Sequence, residues 1–138
     1  MAKDFTFEVH TPYRLFFTGR VESFVLNLSD GEKGVYANHS RFIAPTLSCV
    51  LRIKDKKGVS RSAFVSEGIL EMKEFKTVLI VDAAEWPEEI DRERALAAKQ
   101  KAEEIIKTST LKFEIDRVKL KLLRAEFRLK AAELAVNR

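Results

Sequence analysis

Cysteine is nearly missing: Cys49 stands alone in a chain of 138 residues. A single thiol excludes an internal disulfide framework and any CxxC pair, and it is compatible with a reducing cytosol. Histidine is almost as scarce. His10 and His39 are the two present, and their separation gives no cluster of metal-ligand spacing. His39 adjoins Ser40, but a catalytic serine–histidine pair needs an orienting acid and a held nucleophile, which sequence neighbours in a loop do not supply. No stretch approaches the roughly twenty consecutive apolar residues of a membrane-spanning helix, and Met1 to Phe5 offers no hydrophobic run of the signal-peptide kind. Gly31-Glu32-Lys33-Gly34 lacks both the Lys-Ser/Thr pair and the following helix of a phosphate loop, so it reads as a turn. Gly/Ser-rich linkers, internal repeats and low-complexity tracts are also absent.

What remains is the composition of a folded globular chain. Apolar residues make up 46% and charged residues 33%, which is too apolar for disorder. The net charge of +4 is mild and the signs are mixed, which suits solubility better than nucleic-acid binding. At this length the chain holds one good core, or a small core with an appendage.

The chain divides by period. Up to about Trp86, apolar residues alternate in twos. Phe5, Phe7 and Val9 alternate with Thr6, Glu8 and His10, a half-buried strand. Tyr13 to Thr18 reads as a second strand, with Gly19 turning the chain. Val21 to Leu28 is a third, followed by a turn cluster from Ser29 to Gly34 and a very short strand at Val35-Tyr36. Ala37 to Ser40 is a loop. Arg41–Leu47, Val50–Ile53, Val59–Val65, Gly68–Met72 and Thr77–Val81 complete the strands, and Asp55-Lys56-Lys57-Gly58 closes a hairpin. Short strands at this spacing, with ten phenylalanines and no helical runs between them, predict an antiparallel β-sandwich or small barrel. Glu67, Glu71 and Glu74 read as strand-edge and turn residues.

From Pro87 the period becomes helical. Ile115, Val118, Leu122, Ala125, Leu129, Ala132 and Val136 form one face, widened by Leu120, Leu123, Phe127 and Leu134. A first helix offers Ile90, Ala98, Ala102, Ile105, Leu96 and Ile106. Pro87 suits its first position, with Glu88, Glu89 and Asp91 at its positive end. Thr108-Ser109-Thr110 breaks the two helices apart. The fold class is therefore α+β: an N-terminal antiparallel β-sandwich over 1–86 and a C-terminal two-helix hairpin over 87–138.

The helices carry the only suggestive chemistry. Arg117, Lys121, Arg124 and Arg128 share an edge of the second helix, fit either for an acidic partner surface, a phosphate or nucleic acid, or for plain solvation beside Glu114, Asp116 and Glu126. Asp91 and Arg94 lie three apart on the first helix, with Lys101 two turns on. If the second helix folds back, Arg124 and Arg128 approach them. Such a set can receive phosphate oxygens and a ribose hydroxyl, or it can be an interhelix salt-bridge network.

Taken whole, the chain resembles the epsilon subunit of F-type ATP synthase, the homologue of the mitochondrial delta subunit. The likeness runs through Thr11-Pro12-Tyr13-Arg14-Leu15-Phe16-Phe17-Thr18-Gly19-Arg20-Val21-Glu22-Ser23, Gly31-Glu32-Lys33-Gly34-Val35, the loop residue His39, Val50-Leu51-Arg52-Ile53, Phe64 to Glu71, Ala83-Ala84-Glu85 and Ile90-Asp91-Arg92-Glu93-Arg94-Ala95. It departs from the family pattern at Ala37-Asn38, where Pro-Gly is usual, at Cys49, often glycine, and at Trp86-Pro87. The resemblance implies a non-catalytic central-stalk subunit that joins the gamma subunit and the c-ring and helps couple ion translocation to ATP synthesis. It implies a peripheral position on the cytoplasmic face of the bacterial cell membrane, as part of the F1 sector. It further implies helices that extend toward the alpha/beta head and inhibit ATP hydrolysis, with Arg117, Lys121, Arg124 and Arg128 as the contact surface. His39 would belong to a loop contacting the stalk or rotor. No cofactor is required, but regulatory ATP is implied at Glu85, Asp91, Arg94, Arg124 and Arg128; Lys101 stands where an arginine is found in the best-known binders. The rival reading is a nucleic-acid or protein adaptor using the basic hairpin, recognisable by salt-dependent binding.

Overall fold

A computed structural model describes residues 3–136, except for the side chain of Val136, so that predicted member of the helical stripe lies outside the description. The described residues form nine strands: β1 (Phe5–His10), β2 (Leu15–Leu28), β3 (Gly31–Tyr36), β4 (Phe42–Thr46), β5 (Cys49–Asp55), β6 (Ser60–Val65), β7 (Gly68–Met72), β8 (Lys76–Val81) and β9 (Ala84–Glu85). A single 3-10 turn, Pro87–Glu89, leads to two helices, α1 (Arg92–Thr108) and α2 (Lys112–Val136).

The ladder runs β4-β7-β8-β1-β2-β5-β6-β9, with β3 also on β2. It closes over itself as a sandwich because β2 serves both layers. Residues 15–21 of β2 pair with β1, and residues 21–28 pair with β3 and β5. The inner faces meet ring on ring: Phe7 of β1 stacks on Phe24 of β2 with centroids 3.9 Å apart and planes 8° from parallel. Leu26, Leu51, Ile53, Leu70 and Leu79, all buried, fill the space around them. The alternation in β1 is what a half-buried strand requires: Phe5, Phe7 and Val9 inside, the residues between them at the wetter face. One pair departs from the antiparallel rule, since β1 and β8 run parallel.

Four local expectations are corrected. Gly19 does not turn the chain. It lies mid-strand opposite Phe7, where a Cβ would touch the Phe17 ring at 3.4 Å, at the near limit of ordinary contact, so it makes no bend. The turn cluster is shorter than its composition suggests. Only Ser29 and Asp30 turn, Gly31 at φ 120° starts β3, and Gly34 pairs with Val25 within the strand. Pro87 begins the 3-10 turn rather than α1. Asp91 is the cap of α1, its carboxylate accepting from the backbone N–H of Arg94 at 3.0 Å. The interhelix break falls at Ser109-Thr110-Leu111, one residue later than the sequence implies.

The helices pack on each other and then on the sandwich through α2, which meets β5, β6 and the 3-10 turn. Their buried residues are small: Ala95, Ala102, Val118, Ala125, Ala131 and Ala132. Ala131 and Ala132 close over Phe64 and Ile90. Ala98, predicted to face inward, is exposed. Leu96, Leu120, Leu123 and Leu134 are also solvent-exposed, at 47%, 48%, 40% and 37%. The stripe is wider than the docked hairpin can cover.

Candidate functional site

Glu85, Asp91, Arg94, Arg124 and Arg128 line one cavity of about 380 Å³ between the helices and the edge of the sandwich. The wall is completed by Glu89, Lys121 and the small faces of Ala95, Ala98 and Ala125. Each element places its residue for a local reason. Glu85 ends β9, whose short pairing with Phe64 and Val65 of β6 holds it at the sheet edge. Asp91 and Arg94 occupy the cap and first turn of α1. Lys121, Arg124 and Arg128 project from one edge of α2, at helical spacing.

The cations do not share one state. Arg124 grips the sandwich: its Nε donates to Glu67 Oε1 at 2.9 Å, its Nη2 also reaches Glu67, and Nη2 donates to Asp82 Oδ2 at 3.2 Å. Arg128 forms an ion pair with Glu85, Nη2 to Oε2 at 3.0 Å, and its guanidinium lies 4.6 Å over the Phe64 ring. Among the described residues, no ion pair reaches Arg94, Arg117 or Lys121. The expected interhelix salt-bridge network is therefore corrected. Arg124 and Arg128 pair across to the sandwich and not with Asp91, whose carboxylate already caps α1.

Burial pushes the Glu67 carboxyl up, but the Arg124 guanidinium, its own backbone N–H and the Ser48 hydroxyl, donating at 2.8 Å, together hold it below the ordinary range. Glu67 correspondingly raises Arg124. Glu89 is lowered chiefly by Arg14, with the Trp86 backbone N–H also donating to it. The site is thus a polar hollow in which Glu85 pairs with Arg128, Glu89 with Arg14, and Asp91 accepts from the Arg94 backbone N–H, while no ion pair reaches the side chains of Arg94 or Lys121 among the described residues. A chain of phosphates is the kind of ligand that two free cations on facing helices can receive.

Not every expected residue is here. Lys101 and Arg117 do not line the cavity. His39 lies elsewhere, beside a hollow of about 160 Å³ shared with Asp4, Arg20 and Thr77. Its Nε2 is 3.1 Å from the Thr77 hydroxyl, and its ring sits edge-on to Phe5. The preceding Asn38 adopts φ 65°, a left-handed conformation that asparagine tolerates, so the usual glycine is not needed there. Glu67 was missed as a docking residue. It precedes a glycine at a strand start, and nothing nearby in the chain shows that its partner is 57 residues on. Lys121, on the same edge of α2 as Arg124 and Arg128 by helical spacing, joins them in the cavity wall.

The family described as ATP synthase, Delta/Epsilon chain, beta-sandwich domain matches residues 4–87, and its long alpha-helix domain matches residues 88–133. The chain is 45% identical over 130 residues to an ATP synthase epsilon chain of Caldicellulosiruptor bescii, covering 94% of each. It is 45% identical over 131 residues to that of Ruminiclostridium cellulolyticum, covering 92% of this chain and 94% of the relative. In fold it is similar to a chain of the Euglena gracilis mitochondrial ATP synthase, with TM-score 0.79 at 19% identity, covering 94% of this chain and 81% of that one. A chain of the Tetrahymena thermophila mitochondrial ATP synthase central stalk and c-ring gives 0.65 at 13% identity, covering 94% and 97%. A β-sandwich that carries two docked helices, matched along almost its whole length by these relatives, belongs to the delta/epsilon-chain family of ATP synthase, whose members are non-catalytic stalk subunits.

Proposed function

We propose that this chain joins the gamma subunit and the c-ring through its sandwich, on the peripheral, cytoplasmic side of a bacterial membrane. Its helix pair is a regulatory arm that docks or extends toward the alpha/beta head. When extended, it inhibits ATP hydrolysis, and ATP in the cavity holds it docked. The loop at His39 is part of the stalk or rotor contact, and the edge of Arg117, Lys121, Arg124 and Arg128 meets the head when the arm leaves. No described helix is long and apolar enough to cross a membrane, so this reading places the chain at the membrane through its complex.

The single observation behind this reading is the mode of docking. The arm buries mostly alanines and is held to the sandwich by Arg124 and Arg128. It leaves Leu120 and Leu123 bare. A switch needs two packings separated by only a few kcal/mol, and thin apolar contact with ion-pair fastening supplies such a docked state. ATP would place its phosphates near Arg94 and Lys121 and its ribose or base near Asp91 or Glu85. Calorimetric titration of ATP into the isolated chain tests binding. Millimolar ATP should raise the melting temperature, and Arg94→Ala with Lys121→Ala should abolish the rise. No heat and no melting shift for the parent chain sinks the ATP assignment. Ending the chain before Pro87 should raise ATP hydrolysis by the assembled enzyme, and unchanged hydrolysis removes inhibition from the reading.

A further inference from the structure

Trp86, the only tryptophan, is stacked on Phe16 of β2 with centroids 4.4 Å apart and meets Phe17 edge-on at 6.4 Å. The Arg61 guanidinium of β6 lies 3.7 Å over its other side, and that of Arg14 lies 5.0 Å over Phe16. Two arginines and two rings thus form one pile rooted in β2 and β6. The following turn is fastened to the same pile. Trp86 N–H donates to Glu89 Oε1 at 2.9 Å, and Glu89 N–H donates back to the Trp86 carbonyl at 2.9 Å. Arg14 Nη2 donates to Glu89 Oε1 at 2.8 Å and to the Ala84 carbonyl at 3.5 Å. Pro87 is buried within it.

We infer that Trp86 to Glu89 is a bolt belonging to the sandwich, and that the arm turns on Ile90 and Asp91. Both joint residues have extended backbone, with φ/ψ of −78°/127° and −83°/99°, between two hydrogen-bonded turns. What covers Ile90 is movable: it packs with Ala131 and Ala132 of α2 over Phe64. When α2 leaves, Ile90 loses its lid and the joint is free, while the bolt keeps every contact just named. The inference rests on the reading of the helix pair as a movable arm, and it adds where that arm is pinned. It also divides the cavity. Glu85 and Glu89 are on the fixed side, Asp91 is in the joint, Arg94 lies just across it, and Lys121, Arg124 and Arg128 ride on α2. A ligand there spans the joint and immobilises it, which is how a small molecule in a shallow hollow can restrain a long arm.

The test uses the full chain with Arg124→Glu and Arg128→Glu, which set new carboxylates against Glu67, Asp82 and Glu85 and release the arm. Lys57→Cys and Lys119→Cys, both at exposed positions, carry spin labels on the sandwich and on α2, while buried Cys49 stays unlabelled. Their separation is measured by electron–electron double resonance. Trp86 emission and its quenching by acrylamide are read on the same variant without labels. The expected result is a longer label distance with unchanged Trp86 emission and quenching. A longer distance with red-shifted, readily quenched emission overturns the bolt and moves the joint to Trp86 or before it, leaving the movable arm intact. An unchanged distance overturns the arm and the joint together.

Discussion

The sandwich and the helix pair are held by different forces. The sandwich buries Phe7, Phe24, Leu26, Leu51, Ile53, Leu70 and Leu79 to 1–2% exposure or less, all inside one closed cluster. Among the described residues the helix pair buries five alanines and Val118, and it holds to the rest of the molecule by the small patch of Ala131 and Ala132 over Phe64 and Ile90 and by Arg124 and Arg128 on three carboxylates. Burial stabilises in proportion to apolar area, at about 0.8 kcal/mol for each buried methylene. Alanine offers little of it, and ion pairs near the surface add about a kcal/mol or less. The lesson is that one region is held by a deep apolar core and the other mainly by its attachment.

The comparison is broken most severely at its strong end. Phe24→Ala removes a ring from the centre of the two-layer stack and should cost about 3–5 kcal/mol, read as a fall in the denaturation midpoint of the entire chain. Next comes the fastening. Arg124→Ala leaves Glu67 without its guanidinium, though Ser48 still donates to it, and should weaken helix docking by about 1 kcal/mol or slightly more. Hydrogen exchange should then quicken in α2 and stay slow in β1, β2 and β8; equal loss in both regions would show that they are one unit.

Asp91→Ala removes the cap of α1 and should cost about 1 kcal/mol, seen as fraying of the first turn with the sandwich midpoint unchanged. The smallest effect is that of acid. The folded-state pKa of Glu67 lies below its ordinary value of 4.5. The docked state therefore binds that proton less readily than the free one, and its contribution is whole above the ordinary value and lost as pH falls through the lowered one. Below about pH 4.5, helix docking should loosen before the sandwich unfolds, and Glu67→Gln should flatten that step. A single transition for both regions across this range contradicts the division.

The same contrast decides what could be read from the sequence. Strand alternation reports a local period, so β1, β7 and the hairpin at Asp55 are plain in the chain. At that hairpin the Asp55 carboxylate accepts from Lys57 and Val59, and Gly58 sits at φ 86°. Gly19 misled because glycine in a strand and glycine in a turn look alike until the neighbour across the sheet, Phe7, is known. The need for Gly68 was equally hidden, since a Cβ there would come within 2.0 Å of the Ile80 carbonyl oxygen on the adjacent strand. Glu85, Asp91, Arg94, Arg124 and Arg128, which the family likeness groups together, line one cavity. Which carboxylate each arginine takes was out of reach, because Glu67, Asp82 and Glu85 meet α2 only through the tertiary fold.

The parallel pairing of β1 with β8 has a consequence in time. Thr6 lies beside Lys76 and His10 beside Ile80, so one edge of β1 has no partner until β8 has been made. Contacts of such sequence separation form slowly, and an open strand edge is a template for pairing with other chains. The other edge of β1 is covered early by β2, and the waiting edge carries charge, with Glu8 set against Lys76 at 3.5 Å once β8 arrives. Synthesis slowed before Lys76 should prolong the aggregation-prone interval, whereas slowing it after Val81 should not.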